Sequence, residues 1–294
     1  MDVSERRAFL AAGVTVVLWA SAFVGIRAAA PYFAPGPMAF GRQVAATVTL
    51  VILLLLSREG LPPRSAWPGI VISGILWFGV YMVALNWGER ELDAGTAAMV
   101  VNVGPIVMAL LAGWLLREGF PPRLLAGLAI ACGGAVVVGV ATSGGGRASI
   151  LGVLLCLIAA ITYAASAVAQ KPALRSATAL QVTTFACAIG MLTCLPFAPR
   201  LVTEAAAAPT HITLTVLYLG IFPTAIGCTT WAYALARTTT GRMGSTTYLV
   251  PAVVIVISAA LLHEVPPLLA IVGGALCLAG VAVSRSRSRR TVSA

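Results

Sequence analysis

Apolar runs of membrane-crossing length follow one another along this chain, cut at intervals by clusters of Gly, Pro and charge. A helix needs roughly 20 predominantly apolar residues to cross a bilayer core. Ten runs qualify, at 8–27, 35–56, 66–87, 92–116, 121–140, 149–170, 179–197, 210–236, 241–262 and 266–284. Connections between them are short, and residues 1–7 and 285–294 read as polar tails. The pattern predicts an all-α integral membrane protein of ten transmembrane helices. The opening MDVSERR and the run after it have the outline of a signal peptide, with Ala28-Ala29-Ala30 as a cleavage site. The run is as long as a span, however, and 149–170 reads as its counterpart: Trp19-Ala20-Ser21 answers to Tyr163-Ala164-Ala165, and Arg27 to Lys171. It is therefore read as the first span.

The polar and special-backbone positions repeat. Between 95–134 and 241–280 a constant offset of 146 residues matches Gly95 to Gly241, Pro105 to Pro251, Glu118 to Glu264, Pro121 to Pro267, Gly127 to Gly273 and Gly134 to Gly280. Two greasy runs aligned by chance would share Leu and Val; Gly and Pro mark particular backbone geometry instead. The chain thus divides into related halves, 1–145 and 146–294, each with five spans. Five is odd, so the second half inserts upside down relative to the first. Inverted-topology repeats around a central cavity are the architecture of many secondary transporters, whose substrate site lies near the midplane between the halves.

Composition sharpens this reading. The 294 residues are 60% hydrophobic and 10% charged, with a mean hydropathy of +0.98, whereas soluble domains carry roughly 25% charged residues. The net charge of +10 is spread among loops, which argues for membrane topology and against nucleic acid. Most Lys and Arg fall on one side: Arg6, Arg7, Arg58, Arg64, Arg117, Arg123, Lys171, Arg175, Arg237, Arg242, Arg285, Arg287, Arg289 and Arg290, against Arg90, Arg147 and Arg200, with Arg27 near that edge. Positive charge stays inside, so both termini are expected in the cytoplasm. The six cysteines lie in apolar runs with neither metal spacing nor a disulfide framework. There is no Walker A sequence, no HExxH, and no nucleophile with an obvious base. An enzyme is not expected, nor a catalytic residue, a cofactor or a metal. The expected partners are a small-molecule substrate and the lipid bilayer.

The candidate substrate-binding residues are polar or aromatic side chains that lipid would not require. They are Trp19 in the first span, Trp77 and Tyr81 in the third, Asn102 in the fourth, Tyr163, Ser166 and Gln170 in the sixth, and Ser245 and Tyr248 in the ninth. Thr162, Ser166 and Gln170 recur every four residues, on one helical face. Together they describe an amphipathic cavity with aromatic walls and almost no fixed charge. Pro105 and Pro251, both mid-span, each remove a backbone hydrogen bond and are read as paired hinges, the bland alternative being inert kinks. Glu118 and Glu264 precede helix starts and are read as caps rather than ion-coupling groups. Arg42 lies about two turns inside the second span and is read as snorkelling to the near headgroups. Arg27 and Lys171 are read as interface anchors. All nine acidic residues fall in tails, loops or span ends. With no titrating group at the midplane, transport is expected to run downhill without obligatory proton exchange.

The Pro to Glu-Pro-Pro to Gly-Gly pattern, present twice in five-span halves, closely resembles the EamA family of the drug/metabolite transporter superfamily over essentially the whole chain. Within it the chain is most similar to bacterial amino-acid exporters of the YddG type. The resemblance implies a multi-pass bacterial inner-membrane carrier. It implies a cavity lined by the first, third, fourth, sixth, eighth and ninth spans, alternating access, and export of aromatic and other neutral amino acids or related metabolites. Carriers of nucleotide sugars or phosphorylated metabolites, and drug transporters, belong to the same superfamily. The phosphate carriers need cationic groups in the cavity, and Arg42 is the one residue that could serve.

Overall fold

A computed structural model describes residues 3–115, 122, 126–127, 129–130, 133–134, 137, 147–237, 247, 249–264 and 266–285. Most of the expected fifth span, the Glu118 hairpin with Pro121, and the candidates Ser245 and Tyr248 lie outside the described residues. The described residues are almost wholly helical, without a β-strand.

In chain order the helices are α1 (Val3–Ala29), α2 (Pro35–Leu56), α3 (Arg64–Glu91), α4 (Ala94–Leu115), α5 (Arg147–Ala173), α6 (Ala179–Thr193), α7 (Ala198–Ala207), α8 (Thr210–Arg237), α9 (Leu249–Leu261) and α10 (Leu268–Arg285). Six are long and apolar enough to cross a membrane, or seven if α6 and α7, bent by 53° at their junction, form one span. Thus α5 is the expected sixth span, and α8, α9 and α10 are the eighth, ninth and tenth. The short α7, with no buried residue, lies in the stretch that the hydropathy pattern left between the seventh and eighth spans.

Local chemistry sets several ends. Proline opens α2, where a missing N–H costs nothing. Asp93 caps α4 by accepting from Thr96 N at 2.8 Å, and Thr178 with Gln181 forms a capping box at α6. The helices are apolar outside and small or polar inside. Phe9, Leu55, Leu56, Val202 and Val256 are exposed, while Ala20, Ala46, Ala97, Ala98 and Ala164 are buried. That is the inverse of a soluble protein and suits a lipid-facing surface with close interhelical packing.

The duplication extends further in three dimensions than the residue matches reach. Helix α8 begins and ends 146 residues after α3. Each contains a wide, π-helical stretch, Gly74–Tyr81 in α3 and Gly220–Ile226 in α8, again starting 146 apart. The glycine that opens each stretch packs against the opposite half. A Cβ on Gly74 would lie 2.8 Å from the Ala186 carbonyl of α6, and one on Gly220 would lie 2.6 Å from the Arg42 carbonyl of α2. So α3 crosses α6 and α8 crosses α2 closely enough that only Gly fits at these points. Polar contacts join the halves as well: Ser21 Oγ lies 2.7 Å from Tyr218 Oη and Thr15 Oγ1 2.8 Å from Thr230 Oγ1.

Both prolines of the repeat sit differently from the mid-helix kinks expected. Helix α4 is interrupted at Asn102 and Val103, and Pro105 is the second residue of its continuation, Gly104–Leu115. Pro251 is the third residue of α9. In a first helical turn a proline forfeits no intrahelical bond, so neither acts by deleting one. The interruption at 102–103 is the backbone feature beside Pro105.

Candidate substrate-binding site

The π-helical stretches place side chains at the centre of the bundle. At about 4.4 residues per turn, positions four apart in a π-helix nearly superpose, so Trp77 and Tyr81 face the same way. They meet Trp19 from α1 and Tyr163 from α5. Ring centroids are 5.7 Å apart for Trp19–Trp77, 5.2 Å for Trp77–Tyr163, 6.0 Å for Trp19–Tyr163 and 6.3 Å for Tyr81–Tyr163, mostly edge to face. These are the separations at which aromatic quadrupoles attract. Trp231 of α8 backs the cluster, 5.0 Å from Trp19. Trp231, an aromatic residue of the eighth span, has a fully buried ring that belongs to this wall.

The cluster borders a cavity of about 610 Å³, part of it open at its mouth. Trp19, Trp77, Tyr81, Asn102, Tyr163 and Pro105 line it, together with Pro223 and Cys228 of α8, Thr247, and Val250 of α9. The first, third, fourth, sixth, eighth and ninth spans all contribute, and the second joins them through Arg42. Ser166 and Gln170 do not reach this cavity. They are fully buried farther along α5, where the Ser166 carbonyl accepts from Ser73 Oγ at 3.3 Å. Thr162 folds back on its own helix, donating to the Ile158 carbonyl. The four-residue spacing had correctly put three residues on a stripe, but helix–helix packing takes most of it.

The charged residues depart most from the sequence reading. Arg42 does not snorkel. Its side chain is 3% exposed, and Nη1 donates to Asn86 Oδ1 at 2.9 Å. Asn86 is fixed in turn by donating to the Pro35 carbonyl at 3.1 Å. Helix α3 covers the route by which the guanidinium would have reached headgroups. Glu89, one turn beyond Asn86 on the same helix, was read as a span-end carboxylate; it is 0% exposed, and neither carboxylate oxygen has a hydrogen-bond partner. The premise that every acid lies outside the packed interior therefore fails at Glu89.

Arg27 and Glu264 are also more than an anchor and a cap. Arg27 Nε donates to both Glu264 oxygens, at 3.0 and 3.2 Å, and Nη1 donates to the Glu89 carbonyl at 3.1 Å. The pair ties α1, the end of α3 and the α9–α10 hairpin together, joining the two halves. Both Glu264 carboxylate oxygens accept from Arg27, a partner that the capping reading did not include. Lys171 donates to the Leu235 carbonyl, tying the end of α5 to α8. Cys156, Cys187, Cys194 and Cys228 are buried free thiols.

Known proteins agree with this architecture. A solved crystal structure superposes with a TM-score of 0.67 over 96% of this chain and 98% of its own, at 20% identity, a likeness of fold. A protein of Streptantibioticus cattleyicolor named a probable terminal-alkyne amino-acid exporter is 37% identical over 94% of this chain and 92% of its own length. An Escherichia coli protein named a probable amino-acid metabolite efflux pump is 25% identical over 95% of each. These relatives are named as transporters, not enzymes. Residues 6–140 and 150–286 each match the family described as EamA-like transporters, so the family unit occurs twice in the chain. With apolar helices crossing a membrane several times, two copies of that unit and a cavity between them, this chain is a multi-pass membrane transporter that belongs to the EamA-like family.

Proposed function

We propose that this transporter exports neutral, zwitterionic amino acids, aromatic ones among them, and related metabolites across the bacterial inner membrane. Both termini face the cytoplasm, and the central cavity is exposed to each side in turn. The supporting observation is the convergence of Trp19, Trp77, Tyr81 and Tyr163, drawn from both halves, on one cavity that all the expected lining spans reach. Such walls favour a solute with an apolar or flat side chain. The names of the relatives from S. cattleyicolor and E. coli support the amino-acid class.

The test is counterflow of labelled phenylalanine, leucine and threonine into proteoliposomes clamped at equal pH and zero potential. Saturable flux competed by unlabelled amino acid is expected. Linear, uncompeted flux would indicate a pore and overturn the reading. Phosphorylated metabolites are the second reading, favoured by Arg42 in the cavity wall; in the same assay sugar phosphates would then compete better than amino acids. Movement down the gradient without obligatory proton exchange remains the reading for coupling, and it turns on Glu89. A pH gradient alone should not accumulate substrate.

A further inference from the structure

A buried arginine with a purely structural role has its donors satisfied, because an unpaired charge in a low-dielectric interior is costly. Arg42 departs from that pattern. Of its donors, Nη1 bonds to the Asn86 amide oxygen, a neutral acceptor. Nε is buried without a partner. Among the described residues no carboxylate comes within ion-pairing distance of it; the two ion pairs found are Arg27–Glu264 and Arg200–Glu204. Yet Arg42 lines the aromatic cavity. Its position is built with care. Asn86 is clamped to the Pro35 carbonyl at the start of α2, and Gly220 lets α8 press on the Arg42 backbone. The guanidinium is therefore held at the cavity wall by a neutral acceptor, while the nearby buried Glu89 carboxylate interacts with it electrostatically but makes no ion pair with it.

A second polar atom in the same wall has the opposite sign and the same deficit. Asn102, 6% exposed, stands where α4 is interrupted. Its Nδ2 donates to the Ala98 carbonyl at 3.4 Å, and its Oδ1 has no partner. Two residues that line the cavity thus carry one unsatisfied cationic donor and one unsatisfied neutral acceptor.

We propose that Arg42 and Asn102 form the headgroup subsite of the carrier: Arg42 takes the α-carboxylate of the transported amino acid, and Asn102 Oδ1 accepts from its α-ammonium. The inference rests on the amino-acid reading above and names the atoms that impose it. Arg42 is a donor to an anion, with a fork geometry matched to a carboxylate. A single guanidinium balances one negative charge, so a carboxylate suits it better than a phosphate ester of about two charges. The ammonium gains from the aromatic faces as well as from Asn102. The side chain of the solute then packs on the Trp19–Trp77–Tyr163 wall. Asn86 is a positioning residue that acts through Arg42.

The experiment is inhibition of phenylalanine counterflow in proteoliposomes by four probes: phenylalanine, phenylalaninamide, 3-phenylpropionate and phenyl phosphate. In the unsubstituted carrier phenylalanine is expected to compete about tenfold or more better than phenylalaninamide, the discrimination given by one charge-assisted hydrogen bond. In Arg42→Gln that ratio should collapse toward one through loss of the acid's affinity, while the amide competes as before. In Asn102→Leu the preference for phenylalanine over 3-phenylpropionate should fall instead. An unsubstituted carrier that does not discriminate acid from amide would overturn the subsite, and this measurement needs no variant to fold. So would an Arg42→Gln protein that transports phenylalanine and keeps the ratio. Phenyl phosphate outcompeting phenylalanine would overturn the carboxylate assignment in favour of a phosphate. Absence of any saturable amino-acid flux in the unsubstituted carrier overturns the amino-acid reading itself and removes the basis of the subsite.

Discussion

Two arginines, on adjacent helices and fifteen residues apart in sequence, meet opposite surroundings. Arg27, at the Glu264 end of the bundle, is half-buried and held by a carboxylate and two backbone carbonyls. Arg42, at the cavity, is fully buried and held by a neutral amide. The sequence reads Arg27 as a span-end anchor and Arg42, about two turns inside its span, as snorkelling to the headgroups. Partnering separates them. A half-exposed pair such as Arg27–Glu264 contributes roughly 1 kcal/mol or less to stability, yet it joins the two halves. Arg42 has its charge left for something else. Where the counter-charge is supplied by the protein, an arginine serves as a fastener; where it is withheld inside a cavity, the arginine is free for a solute.

The most disruptive way to break this comparison is to move the helix that carries Arg42. A side chain at Gly220 has no room between the Arg42 carbonyl and Ala45, each 2.6 Å from the added Cβ. Gly220→Leu should destabilise the folded protein by about 1–3 kcal/mol, the usual cost of overpacking, and abolish transport. A lower melting temperature in detergent, alongside normal flux through Gly220→Ser, would show α2 yielding rather than resisting. Direct exchange of the two arginines comes next. Arg42→Gln should weaken amino-acid competition about tenfold. Arg27→Gln should leave competition within about threefold, in keeping with a surface pair, but alter turnover by loosening the Glu264 end. Equal losses of affinity in the two variants would erase the distinction.

Glu89 tests whether the charge near Arg42 takes part in coupling. With proton-independent transport, Glu89→Gln should change counterflow by less than about threefold, since the carboxylate makes no hydrogen bond to lose. If the unsubstituted carrier accumulates substrate on an imposed pH gradient and Glu89→Gln does not, coupling runs through this buried group, and the downhill reading is wrong. A further test lies in the aromatic wall. Tyr81→Ala removes one ring contact, worth about 0.5–1.5 kcal/mol beyond burial, so phenylalanine should lose several-fold more affinity than threonine. An equal loss for both solutes would place Tyr81 in the scaffold rather than against the substrate. The hinge proposal bears on rate alone. Extending α4 through its interruption with Asn102→Ala and Pro105→Ala together should slow turnover more than Pro105→Ala does by itself.

Much of this protein was written in its sequence because it depends on local and periodic properties. Apolar run length marked the spans, since backbone polar groups in hydrocarbon have to be paired within a helix. The 146-residue echo of Gly and Pro marked the duplication, because those residues record backbone geometry. The mid-span aromatic residues Trp19, Trp77, Tyr81 and Tyr163 pointed at the cavity, since nothing in lipid calls for them there. The tertiary structure decided everything that depends on what lies opposite a residue. Ser166 and Gln170 share a face with cavity residues but meet another helix first. Arg42, read as snorkelling, and Glu89, read as a span-end carboxylate, both lie buried where α2 and α3 pack together. Arg27 and Glu264, 237 residues apart, form an ion pair that no one-dimensional pattern contains. Burial and charge pairing are relations between segments, and those relations arise only once the two inverted halves have packed together.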